Sequence, residues 1–426
     1  MTEPVLKEEK AFLHKGKTGL KRLYDRYTGP QDDREVDALY GLRVVFILII
    51  AWYHIWQQSW LTPAPFGVSL DFLLRSGYEW VDAMLLLSGF LLFLPCAKGK
   101  KVKPGAFYKK RFARIVPSYY LCLFVLLFVV VLPEKKYSGI GQGIGDMLAH
   151  MTFVHNLNAY TYVGSPLNGV LWTLAVEAQF YLLFPFLSRA FQKSPLVTWC
   201  LMSLVAFAYR DWASTKQDTT LLINQLPAFM DVYANGFAAA LLYQRMKERL
   251  GDKRNILLRL LFTALAAVCV LGIIRIMKNQ AASNGIDQLR LGQMQRRFAF
   301  TVLLSFVMIY LPFAIAPVRF LFGNRVMRFL SGITFPFYMF HQAVAVQLKK
   351  WHFPPYLSAE PHVSREQPWQ LTFTLAVFGI TLLIAVIMTY LVEKPAARLI
   401  LREGKNGKRK SRCHSGYEKR EDNPSA

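Results

Sequence analysis

Apolar runs of membrane-spanning or near-spanning length recur along the whole chain, and that one feature excludes most folds. They fall at about 43–61, 79–96, 113–132, 168–191, 194–209, 221–244, 255–277, 297–316, 325–348 and 368–392. A backbone in hydrocarbon must satisfy its own hydrogen bonds, so runs of roughly 20 apolar residues form helices. The predicted fold is therefore all-α, a polytopic transmembrane bundle of about ten helices. The run 194–209 is short and also compatible with a re-entrant segment. The stretch 142–157, "QGIGDMLAHMTFVHNL", reads as a loop or an interfacial helix.

Charge sets the expected topology. The 426 residues are 54% hydrophobic, with 51 Lys and Arg against 27 Asp and Glu, a net charge of +24. On a soluble chain such an excess would suggest nucleic acid. Here the basic residues lie mostly between the apolar runs and in the tails, where they fix orientation and meet anionic headgroups; no nucleic-acid motif accompanies them. The densest basic loop, "KGKKVKPGAFYKKRFAR" (98–114), is expected to be cytoplasmic. Counting spans puts 243–254 and 402–420, both basic, on that side as well. The expected organisation is a charged cytoplasmic segment 1–38, a membrane domain 39–400 and a basic cytoplasmic tail 401–426. The location is the cell membrane, multi-pass, with both termini inside. Loops 62–78, 133–167 and 349–367 then lie outside, as does 275–297, whose arginines and lysines fit the rule poorly.

Other local features carry little function. The N-terminus lacks the apolar core of a signal peptide. Its "GKT" at Gly16–Thr18 has Ala11 where a P-loop needs glycine, and "GIGQGIG" (139–145) lacks the strand context of a dinucleotide site. The five cysteines are scattered, odd in number and without a CxxC pair, so they read as small core residues. No spaced His/Asp/Glu set suggests a metal.

Ionisable groups inside spans are costly, about 2.5–3.5 kcal/mol at a helix centre, and usually face a cavity or a partner. The first run holds Arg43 at its start and His54 eleven residues later. On a helix these fall about 20° apart in azimuth and about 16 Å apart along the axis, so they share a face. Arg43 could be a topology anchor, and His54 an interfacial histidine near Trp52, Trp56 and Trp60. Glu177 lies in "LWTLAVEAQFYLLFP" (171–185), with Tyr181 one turn on. Its alternative role is an interhelical ion pair. His341, with Tyr338 at i−3, lies in "FPFYMFHQAV" (335–344), and Asp82 near the start of the second run could serve as a first-turn carboxylate. Counting from the expected faces places His54, Glu177 and His341, with Asp82 nearby, at similar depth in the outer half. A histidine beside a carboxylate makes a general-base pair. At the inner face, "FYKKRFARIVPSYY" (107–120) puts Arg111 and Arg114 at i, i+3, either for topology or as a phosphate clamp.

Together these segments resemble acyltransferase family 3, the integral-membrane acyltransferases, from about Tyr40 to Arg398. "GLR" (Gly41–Arg43) with His54 resembles the family's first-helix signature, and "VDAMLLLSGFLL" (81–92) its second-helix motif. "RFARIVPSYY" resembles RxxR-x-x-P-x-Y, giving Arg111, Arg114, Pro117 and Tyr119. "LWTLAVEAQFYLLFP" resembles W-[ST]-L-x-x-E-x-x-FY, and "FYMFHQAV" and "VEKPAAR" (392–398) also fit. Tyr40 stands where many members have Asp, and Met84 and Leu85 where many have aromatics. The chain ends in a short basic tail, so a fused extracytoplasmic hydrolase-like domain is not expected.

The resemblance implies O-acyl transfer, typically of acetyl, from cytoplasmic acyl-CoA to a hydroxyl of a surface glycan, lipid-linked sugar or secreted metabolite. It implies catalytic roles for His54 and Glu177, and donor binding by Arg43, Arg111 and Arg114. The substrate pocket would include Asp82, Trp172, Tyr181, Tyr338 and His341. A proton-coupled transporter is the rival, since intramembrane His and Glu also serve proton relays. It lacks support from paired broken helices or internal symmetry. A non-catalytic scaffold would leave Glu177 unexplained.

Overall fold

A computed structural model describes residues 34–251 and 255–401, with side chains from Asp37 onward. Residues 1–33 of the predicted segment 1–38 and residues 402–426 of the predicted tail 401–426 lie outside the described residues. Each of the ten predicted runs is a helix, and no strand occurs among the described residues. We label the principal helices α1 Arg34–Ser59, α2 Trp80–Ala97, α3 Pro104–Leu126 and α4 Ile140–Met151. Next come α5 Trp172–Lys193, α6 Pro195–Ser214, α7 Met230–Leu250 and α8 Ile256–Ala281. The last are α9 Ile286–Tyr310, α10 Ala316–Gly323, α11 Arg325–Lys350 and α12 Trp369–Ile387.

Among the described residues, eight segments are long and apolar enough to cross a membrane. Helices α6 and α7 are the two of the predicted ten that are not among them. The segment read as short is a full 20-residue helix, α6. Helix α7 is polar for a concrete reason: it carries buried Asp231 and Asn235 and ends in "YQRMKERL". It needs little lipid-compatible surface because it runs through the protein interior, packed along α2. Gly236 permits that contact, since a Cβ there would lie 2.6 Å from the Leu86 carbonyl oxygen. Gly41 does the same for α1 and α10, where a Cβ would overlap the Phe322 carbonyl.

Contacts at the helix ends define two faces. At the first, Asp37 meets Arg328 at 3.6 Å, and the Gln192 amide donates to the Cys96 and Lys100 carbonyls. At the second, Lys349 donates to the Gln58 carbonyl and Gln370 to that of Ser59. Amphipathic α4 is the structure of the stretch read as loop or interfacial helix. The predicted outside loop 275–297 is largely helical, forming the end of α8 and the start of α9. Its cations are not all loop charges, because Arg297 is fully buried.

A membrane interior built this way needs its buried charges neutralised. Arg297 Nε lies 2.9 Å from Asp82 Oδ2, both wholly buried. Arg210 grips Asp231 with two bonds of 2.9 and 2.6 Å. Both arginines also donate to the Ala228 carbonyl. This network ties α2, α6, α7 and α9 together. It corrects the expectation for Asp82, which is an ion-pair partner inside the bundle and not a pocket wall.

Candidate active site

A cavity of about 590 Å³ lies between α1, α2, α3, α5 and α11. Arg43, Arg111, Arg114 and Arg328 line it, with Glu177 as its one carboxylate. Among the described residues, none of Arg43, Arg111 and Arg114 is held in a salt bridge, whereas Arg328 pairs with Asp37. The Nε atoms of Arg43 and Arg111 are buried without a hydrogen-bond partner. Arg111 is steered by aromatic faces, its guanidinium lying 5.5 Å from the Phe107 ring and 5.3 Å from that of Tyr181. Arg43 lies within electrostatic range of Arg114 and Glu177. A further carboxylate, Glu393, interacts electrostatically with Arg114. It ends a π-helical turn, Met388–Glu393, that continues α12. Such turns re-aim side chains where a regular helix would not.

Glu177 is fixed by two donors. Ser88 Oγ donates to Glu177 Oε1 at 2.6 Å, and the Tyr181 hydroxyl donates to the same oxygen. Ser88 belongs to the LSGF segment, and its partner could not be read from spacing alone.

The face predicted on α1 meets the cavity along its first part only. Arg43, Ile47 and Ile50 all line the cavity, at i, i+4 and i+7. His54 follows at i+11, one turn beyond the cavity's end. Tyr338 and Thr173 close that end, the Thr173 hydroxyl donating to the Tyr338 oxygen at 3.0 Å. The Tyr338 hydroxyl lies 3.2 Å from the Val170 carbonyl, and its donated proton belongs there.

His54 has different neighbours from those expected. Its Nδ1 lies 3.0 Å from Gln57 Oε1, and the Gln57 amide nitrogen donates to the Tyr53 hydroxyl at 2.9 Å. That orientation of Gln57 requires a proton on His54 Nδ1, which leaves Nε2 with its lone pair free. The His341 ring stands 5.2 Å away, centroid to centroid. Its own Nδ1 donates to the Tyr338 carbonyl at 2.6 Å, and its Nε2 is buried with no partner. The Gln342 amide nitrogen approaches His54 Nδ1 at 3.4 Å.

The predicted His54–Glu177 pair is therefore not formed: no hydrogen bond or ion pair joins them. The reason is where α5 starts. Its entry, residues 168–173, is bonded to α11 at 338–339, the level of His341, because Asn168 donates to the Met339 carbonyl. Glu177 lies four residues beyond Thr173, about 6 Å further from the second face. Counting from an assumed membrane surface placed it too high. Trp172 stacks on Phe229 at 5.8 Å and does not line the cavity. Of the predicted site residues, Arg43, Arg111, Arg114, Glu177, Tyr181 and Tyr338 share the cavity. His54 and His341 form a layer above it, and Asp82 and Trp172 belong to neither. Among the described residues no cluster of His, Cys, Asp and Glu could hold a metal ion.

A family model described as an acyltransferase domain, of acyltransferase family 3, matches residues 36–390. The chain belongs to this family. It is 30% identical over 169 residues to the peptidoglycan O-acetyltransferase OatA of Listeria monocytogenes, covering 37% of this chain and 25% of that one. It is 27% identical over 175 residues to the acyltransferase MdmB of Streptomyces mycarofaciens, covering 40% and 44% respectively. The O-acetyltransferase OatA of Staphylococcus aureus matches at 29% over 204 residues, 44% of this chain and 30% of that one. The chain thus spans a quarter to under half of the length of these relatives. No solved structure matches.

Proposed function

We propose that this acyltransferase-family chain moves an acyl group, typically acetyl, from acyl-CoA to the hydroxyl of a glycan, lipid-linked sugar or secreted metabolite across the membrane. The observation that carries the reading is the α1 ladder. Three arginines without salt bridges line a cavity whose wall runs Arg43–Ile47–Ile50 towards His54.

The donor's phosphates suit the arginines, because guanidinium forks bind phosphate bidentately. Arg43 and Arg111 offer buried Nε–H groups that no atom of the described residues accepts. The apolar wall of Ile47, Ile50 and Leu174 suits the pantetheine arm, and Tyr338 and Thr173 suit its polar end. The acyl carbon then comes up against the His54 layer. The acceptor hydroxyl enters from the second face. His54 Nε2 takes its proton as the oxygen attacks the thioester carbonyl; the C–O bond forms, the C–S bond breaks, and the thiolate leaves towards the first face. Glu177, held by Ser88 and Tyr181, offsets part of the positive charge of the arginines, in place of the role beside His54 that the sequence suggested. The basic first face is cytoplasmic on this reading, where acyl-CoA is made.

Reconstitution tests this. Purified chain in vesicles, given acetyl-CoA and a hydroxyl acceptor, should release free CoA in step with ester formation. Loss of a solute gradient with no ester formed would instead support transport.

A further inference from the structure

Three apolar side chains of α2, Val81, Met84 and Leu85, line the cavity of about 590 Å³ at i, i+3 and i+4. They stand apart from the groups assigned to the donor's phosphates and thioester. We propose that they form an acyl-chain pocket, and that the preferred donor carries a short, uncharged aliphatic acyl group longer than acetyl. The inference rests on the O-acyltransferase reading and deepens it, because it names the acyl class.

The depth of these side chains follows from one hydrogen bond. Ser88 Oγ donates to Glu177 Oε1 at 2.6 Å, so residue 88 of α2 and residue 177 of α5 are level. Both helices run from the second face to the first, where the Gln192 amide donates to the Cys96 carbonyl. Thr173 lies four residues nearer the second face than Glu177, about 6 Å, and Leu85 three residues nearer than Ser88, about 5 Å. Met84 and Leu85 are thus level with Thr173, and Val81 stands one turn higher. Thr173 and Tyr338 close the cavity at this end, where the proposed reaction brings the thioester. The pantetheine arm follows Ile47, Ile50 and Leu174, which leaves the α2 wall to the acyl tail.

The chemistry of this end selects the tail. Its hydroxyls are those of Thr173, Thr334 and Tyr338. The Tyr338 hydroxyl donates to the Val170 carbonyl at 3.2 Å and the Thr334 hydroxyl to the Ser331 carbonyl at 2.9 Å. The Thr173 hydroxyl donates to the Tyr338 oxygen at 3.0 Å. All three protons are engaged within the protein, so none is offered to a carboxylate on the tail. Arg43 and Glu177 lie nearer the first face, each four residues beyond Ile47 and Thr173. A charged tail on the α2 wall would lose its water without gaining a partner.

Met84 makes the wall adaptable. It is only partly buried against the core, whereas Val81 and Leu85 are buried. An unbranched thioether side chain fits irregular shapes, so straight and branched tails are both accommodated. Acetyl has one methyl group to set against three side chains. Each further methylene transferred from water to an apolar wall strengthens binding roughly fourfold, and two of them roughly fifteenfold.

The test uses full-length chain reconstituted in vesicles with one hydroxyl acceptor and four donors: acetyl-, butanoyl-, hexanoyl- and succinyl-CoA. Ester formation gives kcat/KM for each. In the unsubstituted chain butanoyl-CoA should exceed acetyl-CoA by about tenfold or more, and succinyl-CoA, with the same number of carbons and a charge, should fall below both. Met84→Trp fills the pocket and should lower the butanoyl-to-acetyl ratio at least tenfold. Met84→Ala lengthens it and should move the preference from butanoyl to hexanoyl. If Met84→Trp does not fold, Met84→Ala decides. Acetyl-CoA serving as well as butanoyl-CoA would overturn the pocket, as would a preference for succinyl-CoA or ratios within twofold of the unsubstituted chain in the folded Met84 variants. Failure of the unsubstituted chain to form ester from any of the four, with acetyl-CoA bound, would instead refute the O-acyltransferase reading itself.

Discussion

His54 takes its orientation from Gln57, one turn further along α1, through a 3.0 Å contact between Nδ1 and the amide oxygen. A neutral amide thus does what a carboxylate does in many His-based sites: it selects the tautomer with a free Nε2. Replacing Gln57 by Leu removes one hydrogen bond worth about 0.5–1.5 kcal/mol. The expected result is a fall in kcat of up to about tenfold, with the KM for acetyl-CoA unchanged. Gln57→Glu should keep activity, since a carboxylate accepts from the same Nδ1–H. Steady-state kinetics on the three proteins checks this.

Arg111 and Arg114 should control the donor. Arg111→Ala and Arg114→Ala are expected to raise the KM for acetyl-CoA by at least tenfold while the protein still inserts. Lysine should rescue only partly, because the planar fork is lost. Titration with acetyl-CoA at saturating acceptor measures this, and rising ionic strength should weaken the wild-type donor affinity as well.

The Asp82–Arg297 pair should show in the amount of folded protein and not in the chemistry. Removing one member of a buried pair costs about 3–5 kcal/mol, because the other charge is left unpaired. Asp82→Ala should therefore reduce the yield of monodisperse protein sharply, with the surviving fraction keeping its KM for acetyl-CoA. The double variant Asp82→Leu with Arg297→Met should recover yield relative to Asp82→Ala.

A pH dependence of stability is built into the segment between α3 and α5. His155 stacks on His150 with centroids 3.9 Å apart, and His150 Nδ1 lies 3.1 Å from Asp146. Burial, helped by His150 and opposed by Asp146, pushes the His155 imidazole down from 6.5 to about 3. Between those values the unfolded chain binds a proton that the folded chain refuses. Stability is therefore full above about pH 6.5 and falls as pH drops, by up to about 1.4 kcal/mol per unit. Thermal unfolding in detergent should show a midpoint that declines from pH 6.5 to 5, and His155→Leu should flatten that slope.

The sequence made the helices legible because spanning runs leave the backbone no alternative in lipid. Helices α6 and α7 were legible as runs although neither passes as a membrane-spanning segment. The Arg43–His54 face was readable because helical azimuth depends only on residue spacing. Depth was not readable in the same way. It depends on where a helix begins relative to its neighbours, and the start of α5 is set by Asn168 on Met339, a contact 171 residues apart in the chain. The same limit hid Arg297, which by sequence lies at the edge of a basic loop. Its partner Asp82 is 215 residues away. Gln57 was closer to hand. A polar side chain at i+3 from His54 marks a local orienting partner, and helical spacing alone points to it.

In the proposed mechanism His54 takes the acceptor's proton, with the donor held by arginines at the far end of the same helical face. The most direct measurement compares His54→Gln with the unsubstituted chain for acetyl-CoA binding and for ester formation, in one reconstituted preparation. Glutamine keeps a hydrogen-bonding group but cannot take a proton at neutral pH. Loss of a general base typically costs about 10²–10⁴ in rate. The predicted result is acetyl-CoA affinity within about twofold, because Arg43 lies about 16 Å away along α1, and ester formation reduced at least a hundredfold. Ester formation at the unsubstituted rate by His54→Gln would rule out His54 as the general base.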